Sequence, residues 1–173
     1  MHALRHLRSA SCCCAAALLT LPLALSAQTG TILHAPEAQK LLPDSVYYAG
    51  KSASTQLRNS AGIRYSDNQH VLAVLVDTSG YSSTVQEKYQ GYLLTEVPLS
   101  IGGHALPAGA YGVGFVGDRF GVMDIGNHEL LQAPASHDSQ MQRPVPLQIL
   151  QGSPAGTYRL CFGRNCVDFQ RGQ

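Results

Sequence analysis

Apolar runs of strand length, each closed by glycine or proline, recur along this chain, and that punctuation restricts the fold more than any other feature. HVLAVLVD at 70–77 is unbroken and rich in valine, as a strand buried on both faces would be. GYLLTEVPLSI at 91–101 is a longer extended segment whose Pro98 indicates an edge or a bulge. Gly102-Gly103 then reads as a two-residue hairpin turn before HALPAG. AYGVGFV at 110–116 alternates, with Tyr111, Val113 and Phe115 on one face and Gly112 and Gly114 on the other. Gly117-Asp118 turns the chain into RFGVMDI at 119–125, and VPLQIL (145–150) and GTYRLCF (156–162) follow later.

Helical patterns are few. APEAQKLL at 35–42 has Pro36 where a first turn tolerates it and Pro43 to stop it. Thr84 and Glu87 fit a capping box ahead of VQEKYQ, closed by Gly91, with a continued hairpin as the alternative. QAPASHDSQMQRP at 132–144 is polar, aperiodic and expected to be an exposed loop. The expected fold is therefore all-β: an antiparallel β-sandwich or flattened β-barrel of about eight strands with one or two short helices.

The first 27 residues read differently. Arg5 and Arg8 begin a basic segment, CCCAAALLTLPLAL is an apolar core, and ALSA ends in small residues suited to cleavage after Ala27. That is the pattern of a secretory signal peptide, and its apolar run is short for a membrane span. Cys12, Cys13 and Cys14 open the apolar run instead of ending it, which is the wrong place for a lipoprotein cysteine. Residues 28–173 are then one all-β domain, expected to be exported to the periplasm or the extracellular space and not inserted in a membrane. Arg5 and Arg8 leave with the leader, which brings the basic count, 12 in the whole chain, just below the 11 Asp and Glu. A near-neutral chain offers no electrostatic case for nucleic acid.

Of the five cysteines, Cys161 and Cys166 remain, in YRLCFGRNCVDF. A turn at Gly163-Arg164, with glycine first as a type II′ turn prefers, pairs Phe162 with Asn165. It sets Cys161 opposite Cys166 at a non-hydrogen-bonded pair, where side chains lie closest. In an oxidising compartment this is a structural disulfide. The spacing suits neither a C-x-x-C redox motif nor a zinc knuckle.

Three motifs invite functional readings. GVGFVG at 112–117 has the G-x-G-x-x-G spacing, but a dinucleotide fingerprint needs a helix after its glycine turn, and here a second strand follows. The glycines are expected to leave a bare strip where a strand, a side chain or a ligand approaches the backbone. LVDTSG at 75–80 is near the retropepsin Asp-Thr/Ser-Gly turn, with the glycine one residue late. A local turn in which Asp77 bonds the backbone explains the same letters. His34, His70, His104, His128 and His137 lack the spacings of a metal site, although Asp124, His128, Glu129, His137 and Asp138 fall in one region. No G-x-S-x-G elbow is present. No catalytic, metal or cofactor-binding residue is assigned. Tyr111 and Phe115 are the candidates to line a ligand pocket, with packing in a core as the competing role.

SIGGHALPAGAYGVGF at 100–115 resembles a hairpin of exported bacterial β-rich proteins of unknown function, with Gly102, Gly103, Leu106, Pro107, Ala108, Gly109 and Tyr111 carrying a GG-x-x-LPAG-x-Y pattern. The wider chain, from LPDSVYYAGKSASTQLRNSAG to RPVPLQIL, is similar to the same group. The resemblance implies secretion and a β-rich fold and lends no activity. The expected role is a non-catalytic ligand- or partner-binding or structural module of the cell envelope, its partner a small apolar ligand or another envelope protein. The alternative is an aspartic-protease-like hydrolase using Asp77.

Overall fold

The computed structural model describes residues 29–172, so the signal peptide expected at 1–27 lies outside the described residues. The chain forms β1 (Thr31–Leu33), α1 (Ala35–Ala38), β2 (Ser45–Tyr48), β3 (Lys51–Arg64), β4 (His70–Val76), α2 (Ser83–Lys88) and β5 (Gly91–Thr95). The hairpin of β6 (Leu99–Ile101) and β7 (His104–Leu106) comes next, then β8 (Gly109–Val116), β9 (Arg119–Met123) and β10 (Glu129–Pro134). β11 (Ser136–His137), β12 (Gln148–Gln151), β13 (Thr157–Phe162) and β14 (Asn165–Arg171) complete it.

These strands make two antiparallel sheets. One runs β1-β3-β4-β5-β8-β9-β10, with β2 also on β3, and the other runs β12-β13-β14-β6-β7, with β11 also on β14. Both sheets end in open edges and share one apolar interior, so the fold is a sandwich and not a closed barrel. Among the described residues fourteen strand segments replace the expected eight or so, because several span only two to four residues. Their pairing depends on distant partners that local pattern does not show.

The first sheet is a meander from β3 to β10 with one excursion, and Pro98 marks it. The extended segment at 91–101 is not one strand. β5 ends at Thr95 in the first sheet, and β6 begins at Leu99 in the second. The buried Thr95 hydroxyl holds the corner, donating to the Val97 carbonyl at 2.5 Å. Pro98 has no N–H to lose at the switch, and its carbonyl accepts from Gly172 at 2.8 Å.

Between the sheets lie Val71, Ala73, Leu93, Val113, Phe115 and Phe120 from the first and Ile149, Tyr158, Leu160, Val167 and Phe169 from the second. Each of the larger aliphatic and phenylalanine side chains among them contributes roughly 1.5–3 kcal/mol by leaving water. The outer face of the first sheet is covered too. β2, α1 and α2 bury Leu33, Ala38, Val46, Tyr48, Tyr81 and Tyr89 against Leu72, Val74 and Tyr92. β4 is therefore buried on both faces from Val71 to Val74, as its unbroken apolar run requires.

Both helices differ from expectation in extent. α1 stops at Ala38, and the next turns close by i→i+3 bonds from Lys40 to Glu37 and from Leu41 to Ala38, a tightening that uses up the chain before Pro43. The cap of α2 lies two residues before the expected one at Thr84. Its N-cap is Ser82, whose carbonyl accepts from Val85 and Gln86 at 3.0 and 2.9 Å. Within 132–144 the chain is not a plain loop. β10 extends to Pro134 with Ala133 buried, and β11 pairs Ser136 with Cys166.

Cys161 and Cys166 are bonded across the β13–β14 hairpin, with Cα atoms 4.1 Å apart and Phe162 opposite Asn165. Gly163 takes φ +59° while Arg164 stays outside the left-handed region, as a type II′ turn demands.

Candidate functional site

The glycines of 112–117 are explained by what covers them. The Tyr48 ring lies where a β-carbon on Gly112 would sit, and the Lys88 carbonyl at the end of α2 does the same over Gly114. Gln90, just beyond α2, completes the closure: its side-chain amide donates to the Phe115 carbonyl at 2.9 Å and accepts from the Phe115 N–H at 3.0 Å. Gly117, at φ +59°, turns β8 into β9. A strand and not a helix N-terminus follows the motif, and Gly112 and Gly114 make room for the packing of Tyr48 and Lys88.

Tyr48 centres an aromatic cluster. It stacks on Tyr89 with centroids 3.7 Å apart, and Tyr81 stands edge-on to Tyr89 at 5.5 Å. The Tyr48 hydroxyl donates to Asn127 Oδ1 at 2.8 Å, and Tyr81 donates to the Tyr48 carbonyl at 2.9 Å. Burial, then the nearby Asp124 carboxylate, pushes the Tyr48 phenol up to about 12. Burial raises Tyr89 further. These neutral phenols tie the outer layer together and offer no base at neutral pH.

The sequence candidates are placed as follows. Tyr111 and Phe115 both lie in the interior between the sheets. Tyr111 folds back over Gly109 and donates to the Pro107 carbonyl at 2.9 Å, which gives the LPAG-x-Y spacing a physical reason. Phe115 packs on Phe120 and Phe162 at 4.9 and 5.3 Å. The free space bounded by Phe120, Leu160 and Phe169 is only about 10 Å³, too little for a ligand. Asp77 sits in an exposed turn, its Oδ1 accepting from the Ser79 N–H at 3.0 Å, a bond that holds the carboxyl below the usual range. His128 bonds Asp124 at 3.0 Å, His137 bonds Asn165 at 2.8 Å, and His70 bonds Glu96 at 3.1 Å. Among the described residues no three His, Cys, Asp or Glu side chains come together to hold a metal, and no helix is long and apolar enough to cross a membrane.

Open space lies at the side of the sandwich. In β3, Thr55 pairs with Val76 and Ser60 with Val74, so residues 56–59 stand opposite Leu75 alone. Such an enlarged bulge bends the strand and re-aims its side chains. Here it is held by Ser60 Oγ donating to the Leu57 carbonyl at 2.6 Å and Asn59 donating to Gln56 at 2.9 Å. The bulge brings residues 58–61 to one wall of a cleft of about 480 Å³, with residues 34–36 at its end and residues 145–149 opposite. That volume lies within the range of small-molecule sites. Sequence reasoning passed over these residues. QLRNS looks like the polar face of a strand, and its partner wall lies far along the chain.

A second groove of about 230 Å³ runs beside α2 over Gly114 and Gly121. Its charged rim is partly self-satisfied: Gln132 accepts from Arg119 at 3.4 Å and donates to Glu129 at 2.8 Å.

The fold and the lateral cleft define a class, an antiparallel β-sandwich with an added outer layer and an open cleft at its edge. Comparison with protein-family models, with curated proteins and with solved structures finds no match to this chain.

Proposed function

We propose that the protein is an exported, non-catalytic binding domain that takes a small ligand into the cleft between the β3 bulge and β12. The observation that carries this reading is the cleft: a multi-residue bulge, pinned by its own hydrogen bonds, sets polar side chains across from the apolar segment at 145–147. A few placed polar groups facing an apolar wall is the usual composition of a ligand site. Export is supported by the basic-apolar-small pattern of residues 1–27 and by the Cys161–Cys166 bond, which suits an oxidising compartment.

Native mass spectrometry of protein purified from its own exporting cells, followed by denaturing mass measurement, tests both parts. The expected chain starts at Gln28 and is lighter by the two hydrogens of the disulfide. Extra mass that leaves on denaturation identifies a ligand. A chain that retains residues 1–27, or one that never carries extra mass, counts against export or binding respectively.

A further inference from the structure

We infer that the ligand of this cleft is a small monocarboxylate with an apolar body, its carboxylate held by Arg58 and its body lying along Val145, Pro146 and Leu147. The inference rests on the cleft being a ligand site and adds the chemistry of what fills it. Arg58 is the one permanently charged side chain among the described residues that line the cleft, and no Asp or Glu joins them. The described arginine–carboxylate pairs engage Arg159 and Arg171, and Arg58 enters none of them. Its guanidinium therefore retains the planar fork that binds a carboxylate through two parallel hydrogen bonds.

The remaining groups narrow the class. Asn59 and Gln148 add neutral amides, His34 adds an imidazole at one end, and Val145, Pro146 and Leu147 are hydrocarbon, so one permanent positive charge faces an apolar stretch and matches a single negative charge better than a polyanion. An added peptide strand fits poorly. β1 pairs only with 62–64 of β3 and β2 only with 51–54, and the window between them is broken by the bulge and packed by α1. The groove beside α2 is the weaker candidate for such a ligand, because Glu87 and Glu129 line it beside Lys88 and Arg119, and Arg119 already shares Gln132 with Glu129.

The test uses the purified, ¹⁵N-labelled protein with three probes of one shape: 4-phenylbutyrate, 4-phenylbutyramide and 4-phenylbutylamine. The acid is expected to shift the amide signals of residues 58–61 and 147–149 saturably, about tenfold more tightly than the neutral amide, with the amine weakest. Arg58→Ala should remove about that tenfold preference, Arg58→Lys should retain part of it, and Arg119→Ala should leave it intact. Equal binding of acid and amide, or undiminished acid binding by Arg58→Ala, overturns the carboxylate assignment while leaving the cleft a ligand site. Cleft signals unmoved by all three probes at millimolar concentration overturn both readings.

Discussion

The ring of Tyr48 rests directly on Gly112, filling the place a β-carbon would take. Because Tyr48 also stacks on Tyr89 and bonds Asn127, the contact locks β2, α2 and the β9–β10 connection onto one strip of β8. Gly112→Ala should push that ring out of its stack and cost about 1–3 kcal/mol, the usual range for overpacking. Gly121→Ala is the matched control. Its added carbon would meet only the Gly114 carbonyl, at 3.9 Å, so the change should be neutral or stabilise by about 0.5 kcal/mol. Urea unfolding of the two variants checks the contrast.

Much of the sandwich was legible because it is written at short range. Period-two alternation placed Tyr111, Val113 and Phe115 on one face of β8, and the glycine-first turn set Cys161 against Cys166. The bare strip at Gly112 and Gly114 could be seen, but not what covers it, since Tyr48 and the Lys88 carbonyl arrive from elsewhere in the chain. The cleft was hidden for the same reason. Arg58 and Leu147 share it only because β3 and β12 belong to different sheets that meet at one side.

Breaking the disulfide should weaken the protein without unfolding it. The closed loop is short, so replacing both cysteines, Cys161→Ser with Cys166→Ser, should cost about 2 kcal/mol. β13 keeps its pairing with β12, and β14 keeps its pairing with β6, so the hairpin remains held from both sides. The expected outcome is a lower urea midpoint with an unchanged slope and an unchanged far-ultraviolet spectrum. A loss of strand content would show that the bond, and not the neighbouring strands, maintains this sheet.

The corner at Thr95 predicts a hydroxyl-specific effect. Its Oγ1 donates to the Val97 carbonyl and also accepts from the Val97 N–H at 3.3 Å, in a buried position where the chain changes sheets. Thr95→Val keeps the shape and removes both bonds, leaving two backbone groups to be satisfied. The cost should be about 1–3 kcal/mol by urea unfolding, and Thr95→Ser should recover most of it. Equal losses in the two variants would mean that the methyl packing, and not the hydroxyl, matters.

Alkali should destabilise this fold, because its buried phenols resist ionisation. Tyr48 is pushed from 10.0 up to about 12, by burial first, and Tyr65 and Tyr89 are raised further, also by burial first. A raised phenol binds its proton more tightly when folded than when unfolded. Its contribution is therefore fully present below the unfolded value near 10 and is lost as pH climbs from there through the folded value. Stability should thus decline above about pH 10, and these phenolates should appear together with unfolding, not one at a time beforehand. Phenolate absorbance and circular dichroism followed along one alkaline titration would test this. Tyr48→Phe should lessen the decline, since it removes one of the ionisations that draw the chain toward the unfolded state. The lost bond to Asn127 should lower its stability at neutral pH by about 1 kcal/mol. A decline equally steep in Tyr48→Phe would place the alkaline sensitivity on Tyr65 and Tyr89.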